Sequence, residues 1–205
     1  GLGGPEAAAK ELGDTPIITG VAGGFGASIK SPGIAHHNGM ELIRFGNHGG
    51  PVTPRLEEFA DLWREAGFNV RTFDDIDQLV WEKLICNVCF SGTCTITGYT
   101  IGEVMEDADA WHAATACATE AFAVAIAKQV AIDIQDPVDY VREFGKKIPH
   151  ARPSMLLDHI ANRASEIDNI NGAIPLVGDM VGVDTPFNGI VSALVRAKER
   201  SMGVR

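Results

Sequence analysis

Cysteine is scarce in this chain. Cys86, Cys89, Cys94 and Cys117 are the four thiols in 205 residues. A disulfide scaffold is shorter and denser in cysteine, so reduced thiols and a reducing cytoplasm are expected. Cys86 and Cys89 make a C-x-x-C, the spacing of zinc and redox sites. No second pair follows, and no histidine joins it at ligand spacing, so packed core thiols are the stronger reading and no metal site is expected. Basic residues are also few: Lys+Arg is 17 against 27 for Asp+Glu, a net charge of −10. That balance speaks against a nucleic-acid surface or a polybasic membrane patch. No apolar run approaches the roughly 20 residues of a membrane helix. The first residues, GLGGPEAAAKELG, have no basic start followed by an apolar stretch, so they do not read as a signal peptide. The first residue is Gly rather than Met, which fits a processed chain, a tagged one or a piece of something longer.

What is present is an ordinary globular balance, 45% hydrophobic and 21% charged, at a length that fits one or two domains. The pattern changes near residue 75. More than half of the 23 glycines fall in the first 52 residues, between short apolar stretches at Ile17–Val21, Ala27–Lys30 and Met40–Phe45. Asn38-Gly39 reads as a two-residue hairpin turn between Ile34–His37 and Met40–Phe45. Thr53-Pro54 opens a helix that Gly67 ends. Phe68–Phe73 alternates as one more strand. The first 74 residues thus read as strands with one clear helix.

Beyond Asp75 the pattern is helical, with helices expected over 75–91, 101–105, 107–132, 136–145, 153–163, 166–181 and 185–202. Asp136-Pro137 and Thr185-Pro186 each read as a cap followed by a first-turn proline. The 107–132 segment is rich in alanine and is expected to be central, because small side chains let helices approach closely.

Two constellations could carry chemistry. Lys83 and Asn87 are four apart and share a helix face. A lysine on a largely apolar face is costly unless paired or exposed, and the same spacing also fits a snorkelling lysine beside a surface asparagine. The second is RPSMLLDHIANRASEIDNINGAIP. It holds Ser154 and Asp158 four apart, a candidate cap at Ser165, then Glu166, Asp168, Asn169 and Asn171. These fit caps and a solvated face. They also fit a buried carboxylate paired with a buried lysine, for which Lys83 with Glu166 is the pair to test. The six histidines are isolated or point to opposite strand faces. The starts GLGGPEA and GVAGGFG match a dinucleotide G-x-G-x-x-G only loosely, because no strand precedes the first and no helix pattern follows the second.

Together the constellations resemble the ketopantoate reductase (2-dehydropantoate 2-reductase) family. The similar residues are W-E-K-L-I-C-N at Trp81–Asn87, P-S-M-L-L-D at Pro153–Asp158, S-E-I-D-N-I-N-G at Ser165–Gly172 and G-V-D-T-P-F-N at Gly182–Asn188. The resemblance implies an α+β chain. Residues 1–74 would be the last strands and helix of a Rossmann (α/β) NADP-binding domain. Residues 75–205 would be a helical substrate-binding and dimerisation domain like the C-terminal domain of 6-phosphogluconate dehydrogenase. It implies NADPH-dependent reduction of a branched 2-oxo acid, 2-dehydropantoate to pantoate in pantothenate biosynthesis, in a cytoplasmic enzyme. Lys83 would be the general acid and Glu166 its partner. Asn87, Ser91 and Ser154 would hold the substrate, and Gly1 and Glu166 would meet the cofactor. Relatives often dimerise, so a homodimer is expected.

The chain departs from the family pattern in three places. Ser91 stands one turn after Asn87 where a second Asn is usual, and Ile101 replaces another substrate-contacting Asn. A more apolar pocket with fewer donors suits a different 2-oxo acid, for example an aryl or other branched one. The G-x-G-x-x-G segment is missing, so this piece alone is expected to bind NADPH weakly and turn over little. A non-catalytic dimerisation or ligand-sensing module is the alternative from another class.

Overall fold

The structure, a computed structural model, describes residues 1–23, 26–39 and 42–205. The fold is α+β. The chain forms two compact units, one of Gly4–Val80 and one of Trp81–Arg205 together with Gly1–Gly3.

The first unit contains α1 (Gly4–Leu12), β1 (Ile18–Gly23), β2 (Gly26–Ser31), β3 (Ile34–Gly39), β4 (Leu42–Asn47), α2 (Pro54–Glu65) and β5 (Val70–Thr72). Helix α1 was not expected from the glycine-rich start. Its Ala7-Ala8-Ala9 run favours helix, with Glu6 in the first turn and Lys10 in the last complementing the dipole. The sheet order is β1-β4-β5, with β1 antiparallel and β5 parallel to β4. Helix α2 therefore serves as the crossover of a βαβ unit. Thr53 caps it by accepting from the Leu56 amide, and Pro54 fills the first position. Phe45 packs edge-on to Trp63 with ring centroids 5.4 Å apart, over a core of Ile43, Leu56, Ala60 and Val70.

The hairpin expected at Asn38-Gly39 is corrected. Strand β3 runs through Gly39 and pairs with β2, while β4 belongs to the other sheet. The reversal lies instead at Pro32-Gly33, where Gly33 has φ +80°, a conformation that only glycine adopts cheaply. Met40 and Glu41, the first residues of the expected Met40–Phe45 strand, lie outside the described residues.

The second unit is built on α3 (Ile76–Thr97), whose last three-quarters belong to it. Then come α4 (Ile101–Glu106), α5 (Ala108–Ala127), α6 (Pro137–Lys147), α7 (Ser154–Ile160), a 3-10 turn (Ile167–Asn169), α8 (Ala173–Val181) and α9 (Pro186–Met202). The alanine-rich helix is central, as expected: Ala114, Ala118, Ala121 and Ala125 of α5 are fully buried, and α5 packs against α4, α6, α8 and α9. It is shorter than expected. Lys128 caps it, and Gln129 takes a left-handed φ of 63°. The helix expected to end near residue 91 runs on to Thr97. The helix expected over 166–181 is broken, because Ile170 leaves the helical region at φ −109° and ψ −101°.

Candidate functional site

Helix α3 carries Lys83, Asn87 and Ser91 at successive turns of one face. Lys83 is exposed, Asn87 half-buried and Ser91 buried. Along this face the helix sinks from solvent into the core. The opposite side holds Leu84, Ile85, Val88 and Cys89, all in the main apolar cluster. Burial holds the thiols protonated: Cys86, Cys94 and Cys117 are pushed up to about 12, and Cys89 well above its ordinary value. The C-x-x-C is thus core packing.

Glu166 stands at the head of the 3-10 turn, where its carbonyl accepts from the Asn169 amide at 3.0 Å. Its side chain is exposed, and so is that of Lys83, so neither group is buried as the sequence reading allowed. The structure nevertheless brings them to one place. The nitrogen of Gly1 lies within electrostatic reach of both Glu166 and Lys83. Gly1 itself is seated against the 3-10 turn. The Leu2 amide donates to the Asn169 carbonyl at 2.8 Å, and a Cβ on Gly1 would lie 1.9 Å from that same oxygen. Only glycine fits there.

Ser154 is the exposed first residue of α7, preceded by Pro153, with Met155 and Leu156 anchoring the turn in the core. Ser165 was read as a cap. Its amide and hydroxyl instead donate to the Glu199 carboxylate at 2.8 and 2.6 Å. Ile101 is buried in the main cluster rather than presented on a polar surface, and a Cβ on Gly145 would lie 3.3 Å from its Cγ2.

A buried amide network joins the Glu166 loop to α3. Asn171 is fully buried, and its Nδ2 donates to the Val88 carbonyl at 2.8 Å and to Asn188 Oδ1 at 3.0 Å. Asn188 in turn donates to the Cys117 carbonyl at 3.0 Å and to Glu120 Oε2 at 2.7 Å. Gly92 makes room, because a Cβ there would lie 2.9 Å from Asn171 Oδ1 and 2.3 Å from Val191 Cγ1. The sequence reading put Asn171 among caps and solvated residues. The missed signal was a glycine inside an apolar helix, which marks a close approach.

A family model described as ketopantoate reductase PanE/ApbA C terminal matches residues 75–199. A 2-dehydropantoate 2-reductase of Streptococcus pyogenes serotype M3 is 28% identical over 206 residues, covering 100% of this chain and 67% of the relative. The solved 2-dehydropantoate 2-reductase of Geobacter metallireducens matches with a TM-score of 0.87 and 31% identity, covering 97% of this chain and 66% of that one. A solved D-mandelate dehydrogenase with NADH and anilino(oxo)acetate matches with a TM-score of 0.84 and 26% identity over 98% of this chain and 66% of that one. The chain thus spans about two-thirds of the length of these proteins. The family model covers most of the helical unit, and the Geobacter structure matches 97% of the chain.

Proposed function

The chain belongs to the ketopantoate reductase family, and from that premise we propose that the full-length protein reduces a branched 2-oxo acid, 2-dehydropantoate first, with NADPH. The setting is pantothenate biosynthesis in the cytoplasm. The observation that supports this reading is the α3 face of Lys83, Asn87 and Ser91 beside a loop that carries Glu166 and is pinned to α3 through Asn171.

Glycine at position 1 and the carboxylate of Glu166 suit the nicotinamide end of the cofactor, since the close seat at Gly1 admits no side chain. The 205 residues hold no G-x-G-x-x-G after a strand. When bound, the dihydronicotinamide supplies a hydride to the carbonyl carbon. The protein's own work is at the carbonyl oxygen, where negative charge develops. Lys83 Nζ donates a hydrogen bond there and then its proton, so that C=O becomes CH–OH with hydride and proton balanced. Lys83 is exposed, and a ligand lying over it strips water from the ammonium and strengthens that interaction. Glu166 orients Lys83 and accepts from a substrate hydroxyl. Asn87, Ser91 and Ser154 donate to the substrate's carboxylate and hydroxyl.

A second substrate is favoured by one observation. Ser91 is short and buried, and its hydroxyl offers one donor where a side-chain amide would offer two. An aryl or bulkier 2-oxo acid suits a site with fewer donors. The full-length protein and its Lys83→Ala variant, assayed with NADPH over a panel of 2-oxo acids, test both readings. Lys83→Ala is expected to lower kcat about 100-fold or more. Unchanged kcat would remove Lys83 from the chemistry, and a clear preference for 2-dehydropantoate would reject the second substrate.

A further inference from the structure

Helix α9 runs alongside the segment that carries Glu166 and holds it at three points. Glu199 accepts from the Ser165 amide and hydroxyl at 2.8 and 2.6 Å. Arg196 Nε donates to Asp168 Oδ1 at 2.7 Å. Asn188 Oδ1 accepts from Asn171 Nδ2 at 3.0 Å. The segment advances from Ser165 to Asn171 while the helix counts back from Glu199 to Asn188, about 16 Å of rigid axis. Arg205 ties two of these points together, donating to Glu199 Oε2 and to Asp168 Oδ2, each at 2.7 Å. Ile167 is fully buried between them. Ser165, Ile167 and Asp168 are thus each held, and Glu166, in their midst, presents its side chain to solvent.

Glu199 is the unusual member of this set. Its side chain is wholly buried, and His159 Nε2 lies 3.3 Å from the oxygen that Ser165 uses. A buried carboxylate is costly to desolvate, and exchanging buried ionic groups for apolar residues of similar volume is often neutral or stabilising. Packing alone therefore does not account for it. A carboxylate does what an apolar side chain cannot: it accepts from the amide and the hydroxyl of one residue at once, and so fixes the backbone immediately before Glu166.

We propose that Glu199 is a positioning residue: acting through Ser165, it sets the direction in which the Glu166 carboxylate meets Lys83 and the substrate. The proposal rests on the role given to Glu166 in the reduction. Glu199 itself is buried and reaches the reacting groups only through the Ser165–Glu166 backbone.

A double-mutant cycle on the full-length protein tests this, read as single-turnover rates with NADPH and the preferred 2-oxo acid of the panel. Glu199→Gln is expected to slow the otherwise unchanged protein about tenfold, because small misplacements of a reacting group are worth up to about 100-fold. In the Glu166→Ala background it is expected to change the rate less than about twofold, since the carboxylate it positions is gone. Asp168→Asn, at an exposed position, loosens the second anchor. It is expected to show the same pattern with a smaller loss, about threefold, and it carries the test if Glu199→Gln does not fold. Equal losses in both backgrounds, or no loss in either, would overturn the positioning role and leave the reductase reading standing. An unchanged rate in Glu166→Ala alone, or no reduction of any 2-oxo acid, would instead overturn the role given to Glu166, and the positioning role with it.

Discussion

Asn171 donates its side-chain amide to the carbonyl of Val88 at 2.8 Å, across 83 residues of sequence and with Asn171 wholly buried. That single bond fixes the loop carrying Glu166 to the turn of α3 that carries Asn87. Asn171→Leu removes both donated bonds and leaves Asn188 Oδ1 without its donor. It is expected to cost about 2–3 kcal/mol in urea unfolding. A loss below about 0.5 kcal/mol would mean the loop is held by other contacts.

Gly92 is the other half of that contact. Gly92→Ala places a methyl 2.3 Å from Val191 Cγ1, where α3 meets α9. The expected destabilisation is about 1–3 kcal/mol. Val191→Ala in the same chain opens the space, so the double variant is expected to be more stable than the two single losses add up to. Strict additivity in the double-mutant cycle would sink this account of the glycine.

The start of α9 is capped from another helix. Glu120 of α5 accepts from the amides of Phe187 at 2.8 Å and Asn188 at 2.9 Å, and Thr185 makes no side-chain cap. Glu120→Ala is therefore expected to cost about 1–2 kcal/mol, and Thr185→Ala a few tenths. The reverse ranking in thermal unfolding would restore the sequence-based assignment of Thr185.

This contrast marks what was legible in the sequence. Local signals were reliable where the partner is a few residues away: Thr53 with Leu56, Asp136 with Val138 and Asp139, the burial of the α5 alanines. They failed where the partner is remote. Thr185 looked like a cap because Glu120 is 68 residues from Asn188, and Ser165 looked like one because its acceptor Glu199 is 34 residues away. The Asn38-Gly39 turn failed for a related reason, since β-pairing decided where the chain reverses. At the site, the spacing of Lys83, Asn87 and Ser91 could be read from helical periodicity. The seat of Gly1 against Asn169 depends on the fold and could not.

The four thiols give a simple chemical test. Their raised pKa values mean almost no thiolate near pH 8, and all four are buried. At these four positions native protein is expected to react with an aromatic disulfide reagent only as slowly as it unfolds, and denatured protein to react at all four at once. A thiol that reacts within seconds in the native state would show that one of these positions is open to solvent.

The strongest pH dependence of stability is expected at the end of α9. Burial alone would raise the Glu199 carboxyl, but hydrogen bonds from Ser165, His159 and Arg205 outweigh it and hold the group below its ordinary 4.5. Bonds from Arg205 and then Arg196 hold Asp168 below 3.8, against the opposing effect of burial. His159 Nε2 faces Glu199 at 3.3 Å, and Arg205 Nε at 2.7 Å. Both carboxyls bind protons less readily folded than unfolded, so the unfolded chain takes up more protons as pH falls. Their stabilisation is complete above about pH 5 and is lost as pH drops below their ordinary values. Arg205→Ala removes a donor from both, moving both folded values toward the unfolded ones and weakening the dependence. Between about pH 5 and pH 3 the melting temperature of the variant is expected to start lower and fall less steeply than that of the wild type. Parallel curves in that window would mean that Arg205 does not hold these carboxylates charged.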